Sequence, residues 1–350
     1  MRVIAIATLL FASAALAAPS GPPPIEAMTS ASDLVIVGKV LSSTSAKDVD
    51  HTTVETFELA PTRILKGSLS PRVVARVYHT RSMNPTMEWD GADEGVYGMF
   101  FLKFMPQGSY TLANPHVVSL PAVPGVRPED SPAASPVARV ATELASVFTV
   151  PILVLGNPAV GLMPNDYLGG ENVYKITFET MQSIAAPIAL PALDHAISVA
   201  AFPGVAWARA LELSLGRTEQ LKTLYPLMAN PDHASAPLRK ALAVALADAK
   251  FTDADIPLLA RLLQSKDHGI RLNAVEAIDA INTRATVLPL ESAIDSSDKS
   301  VADLAVGYVC LRTEMCEGLR RVLYFRQPEN HPQLRALVQT WEKQTTARKS

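Results

Sequence analysis

From about residue 187 onward, apolar positions recur at helical spacing. Leu238, Leu242, Ala243 and Leu246 line one face of a predicted helix. Ile270, Ala274, Val275 and Ile278 repeat that face 32 positions later, and Val301, Ala305, Val306 and Val309 repeat it after a further 31. A looser copy falls at Ala206, Ala210, Leu211 and Ser214. Each of these helices follows another, such as IPLLARLLQ from Ile256 and VLPLESAID from Val287. A two-helix unit of this length cannot bury its apolar stripe alone. About four such units stacked side by side bury it continuously, as an α-solenoid. Thr252-Asp253 is expected to cap the helix carrying Pro257, and Asp232, Asp267 and Asp298 stand just ahead of the second helices.

Upstream, the period changes from helical to alternating. SDLVIVGKVLS (from Ser32), TTVETFELAPTRILKG (from Thr52), RVVARVYH (from Arg72) and GVYGMFFLKFM (from Gly95) read as strands, the last being the most apolar and central. SYTLANPHVVSL (from Ser109) reads as a short pair around Asn114-Pro115. Gly38, inside the first run, marks a bulge or sharp coil. Five or six antiparallel strands in so short a span suit a small closed or partly open barrel.

Between these regions, SLPAVPGVRPEDSPAASP (from Ser119) reads as a linker. VARVATELASVFT then places Val137, Val140, Ala141, Leu144, Val147 and Phe148 at helical spacing. The Gly- and Pro-rich stretch that follows reads either as a buried connection or as one more strand at Tyr174, Ile176 and Phe178. Near the end, Leu334, Leu337, Val338 and Trp341 fit a capping helix over the last repeat. The expected class is α+β multidomain: a small antiparallel OB-like barrel followed by a solenoid of about four two-helix HEAT-like repeats. The expected boundaries are a signal peptide over 1–17, a barrel over 30–120, a linker over 121–136, a connecting helix and irregular segment over 137–186, and the solenoid over 187–345.

Composition adds location to this picture. The 350 residues, 48% of them hydrophobic, suffice for two cores, and an aromatic content of 6% suits close helix packing. Arg2, the apolar run Val3 to Leu16 and the small-x-small site Ala15-Leu16-Ala17 predict export with cleavage after Ala17. No later segment is expected to span a bilayer, since VFTVPILVLGNPAVGLMP is broken by Pro151, Pro158 and Gly161. A net charge of −3 with no basic run disfavours nucleic acid as a partner. The two cysteines, Cys310 and Cys316, would stand about 9 Å apart within one helix, too far to bond. If Arg312-Thr313-Glu314 forms a turn, they close a disulfide across it; otherwise they are free buried thiols or a redox or metal pair.

The strand order DLVIVGKV, FELAPTRILKG and GVYGMFFLK resembles the N-terminal β-domain of exported proteins with a TIMP-like, OB-type barrel. TIMP-type inhibitors approach a target's zinc with an N-terminal cysteine, and this chain has none before position 310. The helical hairpins resemble the short HEAT-like repeat of the PBS-lyase type, in which PxLxxLL precedes D-x-x-(I/V)-R-x-x-A. Arg239 and Arg271 match its arginine, and Ala302 departs from it. Bilin lyases carry such repeats but act on cytoplasmic pigment proteins, which the export signal disfavours.

The chemical motifs are sparse. GxSxG, HExxH, P-loop, GxGxxG and EF-hand patterns are all missing from the sequence, and the seven histidines are scattered. His79, Met83 and Met87 fall in a polar loop that reads more simply as a hairpin connection than as a soft-metal site. No catalytic residue, metal or cofactor is therefore expected. Trp89 in that loop, with Arg209, Arg239, Lys240, Arg271 and Glu276 on the second helices, are the candidate contacts for a protein partner. Arg239 and Arg271 could instead pair with turn carboxylates and tie repeat to repeat. The expected function is an exported, non-enzymatic binding or scaffold protein; the alternatives are an enzyme with an unrecognised site and a protease inhibitor by barrel analogy.

Overall fold

The computed structural model describes residues 24–47, 53–69, 73–79, 94–106, 108–113, 118–128, 135–155, 170–314, 316 and 318–347. The signal segment, Met83, Met87, Trp89 and the side chain of His79 lie outside the described residues.

A short helix, α1 (Ile25–Ala31), precedes the barrel and has no counterpart in the alternating pattern. Six strands follow: β1 (Leu34–Lys47), β2 (Thr53–Lys66), β3 (Val73–His79), β4 (Tyr97–Phe104), β5 (Tyr110–Leu112) and β6 (Val118–Ser119). They run in the order β1-β2-β3-β5-β4, and β4 pairs back onto β1, so the sheet closes into an OB-like barrel. Two expectations are corrected. Closure needs one parallel pairing, β3 with β5 through Ala75 and Tyr110. In addition, β5 and β6 both pair with β4 rather than with each other.

Gly38 lets β1 coil. The register shifts between Val37 and Gly38, and a Cβ added there would stand 2.5 Å from the Ala60 carbonyl oxygen. Residues Leu34–Gly38 of β1 and Gly98–Leu102 of β4 are buried on both faces. Leu34, Ile36, Phe100 and Leu102 meet Phe57, Leu59 and Ala75 inside the barrel. Val35, Val37, Met99 and Phe101 point the other way, into a core shared with the helices.

The helical part begins with α2 (Pro136–Ser146), a short α3 (Ile152–Leu155) and α4 (Glu171–Met181). Four hairpins follow. They are α5 (Ala186–Val199) with α6 (Gly204–Ser214), α7 (Gln220–Ala229) with α8 (Ala236–Asp248), α9 (Ile256–Leu262) with α10 (His268–Ile281), and α11 (Val287–Ala293) with α12 (Lys299–Thr313). Helices α13 (Gly318–Phe325) and α14 (His331–Ala347) cover the last hairpin. The second helices stack in the sequence α6, α8, α10, α12, and the first helices stack as α7, α9, α11. The apolar residues that set the repeat, from Leu238 to Val309, are buried apart from Ala243, which is half-buried against the core.

Caps set the helix starts. Asp267 accepts from the Ile270 N–H at 3.1 Å, and Asp298 from the Ser300 N–H at 3.1 Å. In the equivalent place of α8 the cap is Ser235, not Asp232, because Pro231–His233 forms a 3-10 turn ahead of the helix. Thr252 and Asp255 form a capping box.

The strand reading at Tyr174, Ile176 and Phe178 is overturned, because these residues lie on α4. Its buried residues are Val173, Tyr174, Thr177, Phe178 and Met181, a 3.6-residue period. Tyr174 packs between Phe148 and Trp207, with centroids 5.7 and 6.3 Å away, and Phe178 meets Trp207 edge-on at 5.9 Å. The Tyr174 hydroxyl donates to the Val150 carbonyl, and burial pushes its pKa up.

Barrel and solenoid are docked through charge as well as apolar surface. Glu143 on α2, only 4% exposed, pairs with Arg63 of β2 at 3.1 Å and with Arg127 at 2.9 Å. Arg139 donates to the Leu65 carbonyl at 2.7 Å, and Glu26 of α1 accepts from the Ala185 N–H at 2.7 Å. Within the proline-rich segment, the Val126 N–H donates to Thr149 Oγ1 at 2.6 Å, so this stretch is tied to the helices.

Candidate binding groove

The candidate residues on the second helices separate by role. Arg239 donates to the Pro231 and Ala234 carbonyls at 3.0 and 2.8 Å, and pairs with Asp267 of the next repeat at 3.2 Å. Arg271 repeats the arrangement, donating to the Ser265 carbonyl at 2.8 Å and to Asp298 of the following repeat at 2.7 Å. His268 Nδ1 also meets Asp298. Burial raises the Asp298 pKa, but the hydrogen bonds from His268 and Arg271 outweigh it and hold the carboxyl at about 2. These arginines therefore form a ladder between repeats rather than a patch offered to a partner.

Lys240 and Glu276 are exposed on α8 and α10, while Arg209 on α6 is half-buried with its Nε unpartnered among the described residues. The structure does not gather them into one site. Part of the reason is α4, which lies against both α6 and α8. At one end of α4 Glu171 meets Ser235. Just past the other end, Gln182 bonds Ser214 and Asp248 at 3.1 and 2.8 Å. Two of the second helices that carry the candidate contacts are thus overlaid by a helix of the same chain.

Open space lies instead at the last repeat. The arginine ladder stops at Ala302, and the room it leaves is a cavity of about 790 Å³ lined by Asp295, Ser296, Ser297, Lys299, Ala302 and His331. A second cavity of about 530 Å³ lies between α12 and α13, lined by Leu304, Gly307, Tyr308, Leu311 and Val322 beside the Cys310–Cys316 disulfide. Both cavities are lined by Asp303 and Arg326, so they adjoin as one groove, the first part mixing polar side chains with Ile294, Leu323 and Pro328 and the second mostly apolar. Gly307 deepens the apolar part, since a Cβ added there would meet nothing within 4 Å. Leu311 is 66% exposed along its rim.

Charge in the groove is unevenly spent. Asp295 is engaged by His331 Nδ1 at 2.7 Å and by Arg335. Because the carboxylate can only accept, Nδ1 carries the proton. His331 is 6% exposed, and its Nε2 is buried without a partner, as is the Arg326 Nε. Such orphaned groups each cost about 1–3 kcal/mol. Among the described residues, the side chains of Lys299, Asp303, Glu314 and Arg326, two cations and two carboxylates, make no hydrogen bond or ion pair. Sequence reasoning missed these residues, although the departure at Ala302 was a visible signal.

A second polar cluster is closed. Glu212 on α6, fully buried, pairs with Arg217 at 2.6 Å and accepts from Gln220 at 2.7 Å, while Arg217 also holds Asp194. Burial pushes the Glu212 carboxyl up to about 7. Among the described residues no three of His, Cys, Asp and Glu gather where a metal could be held, and no helix is long and apolar enough to cross a membrane.

No family model and no curated protein matches the chain. Among solved structures, a designed armadillo repeat protein is similar over 52% of this chain and 96% of its own, at 19% identity and a TM-score of 0.27. At that score the likeness adds no argument, and the architecture rests on the strand pairing and helix packing above.

Proposed function

We propose that this protein is an exported, non-enzymatic protein-binding scaffold whose partner docks in the groove at the last repeat. One observation carries the reading. The arginine slots of the two preceding repeats are satisfied internally, whereas the last leaves Lys299, Asp303, Glu314 and Arg326 unspent beside exposed apolar side chains. Repeat stacks commonly bind along such surfaces. Export is supported by the N-terminal signal pattern and by the Cys310–Cys316 bond, which suits an oxidising compartment. The barrel is read as TIMP-like in shape only, since the first cysteine is Cys310 and no N-terminal thiol can approach a target's zinc.

The test expresses the full chain in a host with a secretory pathway and places a photo-crosslinking residue at Leu311, with a control at Leu153, which is 90% exposed on α3. We expect a mature chain starting after Ala17, no free thiol, and protein adducts from position 311 but not from 153. A chain that stays cytosolic with Met1 and two reactive thiols removes the export reading. Equal labelling at both positions, or none at 311, removes the scaffold reading.

A further inference from the structure

Resting on the scaffold reading, we propose that the partner seated at the last repeat is a second copy of this chain, joined to the first about a two-fold axis through α12 and α13. A solenoid is ordinarily closed by a terminal helix whose outer face is polar, which keeps the stack soluble. Helix α13 departs from that rule. Phe325 is its one buried residue, while Leu319 and Leu323, one turn apart, face solvent, Leu319 being 72% exposed. Val322 lines the groove beside them, and Leu311 stands exposed on the α12 side. Aliphatic side chains gathered at the end of a stack mark a surface that is covered in the assembled protein.

Charge and shape select the occupant. The unpaired groups of the groove are two cations, Lys299 and Arg326, and two carboxylates, Asp303 and Glu314, so together they carry no net charge; Arg320 and Arg321 of α13 line neither cavity. A strongly charged partner of either sign gains nothing from such a surface. A neutral patch that holds both signs is complementary to its own rotated copy. The order of residues along α12 fits that rotation. Lys299 opens the helix and Glu314 follows its last residue. Two copies of α12 crossing antiparallel bring each Lys299 to the helix end where the other's Glu314 stands. Between these charges Leu311 projects, and one turn earlier Gly307 leaves bare helix. The same crossing carries each Leu311 toward the other's Gly307, so knob and seat are exchanged reciprocally, as a two-fold contact requires.

The experiment measures the mass of the purified chain, disulfide intact, by sedimentation velocity from about 1 to 100 μM, a range in which interfaces of ordinary size assemble. We expect twice the mass of one chain and, with a photo-crosslinking residue at position 311, an adduct of the chain to itself. Leu311→Lys and Gly307→Trp should each raise the dimer dissociation constant about a hundredfold. Lys299→Glu and Glu314→Lys should each raise it about tenfold, and the chain carrying both reversals should recover the native value, because the swapped pair re-forms across the axis. Thermal melts of each variant separate lost association from lost folding. A single-chain mass throughout the range, a mass that climbs beyond two chains, a dimer indifferent to both Leu311→Lys and Gly307→Trp, or a double reversal no better than the single ones overturns the proposal. If that happens while position 311 still gives adducts to other proteins of the expression host, the scaffold reading survives and only the second copy is lost as its partner.

Discussion

Replacing Asp298 by Ala tests whether the arginine ladder holds the repeats together. Asp298 caps α12 through Ser300 and accepts from Arg271 at 2.7 Å and from His268. Loss of a cap costs about 1 kcal/mol. The Arg271 bond is charge-assisted, with side chains 19% and 12% exposed, so it falls toward the lower end of the roughly 1.5–3 kcal/mol range. His268 is 58% exposed and adds only about 0.3 kcal/mol after screening. Asp298→Ala should therefore cost about 3 kcal/mol in urea unfolding monitored by circular dichroism. Asp267→Ala, which removes a cap and one longer contact to Arg239 at 3.2 Å, should cost about 2 kcal/mol. A double-mutant cycle of Asp298→Ala with Arg271→Ala should return a coupling of about 1–2 kcal/mol. The pH dependence has a definite sign. Asp298 sits at about 2, below its ordinary 3.8. Its contribution is thus complete above the ordinary value and lost as pH falls through about 2. A cost below about 0.5 kcal/mol, or no coupling to Arg271, would refute the ladder as a structural device.

Three further outcomes follow from other parts of the molecule. Glu143→Ala removes the buried carboxylate that Arg63 and Arg127 share at the barrel–helix junction and should cost about 3 kcal/mol, with faster proteolytic separation of barrel from helices. Glu212 has its carboxyl raised from 4.5 to about 7, so its stabilising contribution is complete below 4.5 and disappears as pH rises through about 7. Unfolding midpoints at pH 5 and pH 8 should therefore differ more in the native chain than in Glu212→Gln. Replacing Cys310 and Cys316 together by Ser opens a short loop and should lower stability by about 2 kcal/mol, a loss matched by adding reductant to the native chain.

The repeat was legible because its burial pattern is long and regular. Leu238, Ile270 and Val301 recur at nearly constant spacing, and a stacked helix leaves that trace whatever its surface carries. Helix α4 was less legible because Tyr174, Ile176 and Phe178 alternate by accident. The buried Thr177, beside the half-buried Ile176, shows that the 3.6-residue period governs instead. Polar threonine in a core position hides that period from a hydrophobicity reading. The barrel's alternation was visible, but its parallel β3–β5 pairing was not, since pairing direction is set by closure rather than by local pattern.

The groove was hidden for a different reason. A mismatch at one position of a repeat looks like drift, and Ala302 in place of arginine reads as a weak copy of the motif. In the stack, each ladder arginine fills the turn of its own repeat and reaches the cap of the next, so a short side chain in that slot has two effects. The turn at Ser296 and Ser297 stays unfilled, and no guanidinium from α12 reaches toward α14. The covering helices bring their own cation, Arg326, but from the opposite wall, where it remains unpaired. The end of a solenoid must break its repeat to stop stacking. Here the break exposes charge and apolar surface together, which is why the proposed docking site falls at the last repeat and not at the regular ones.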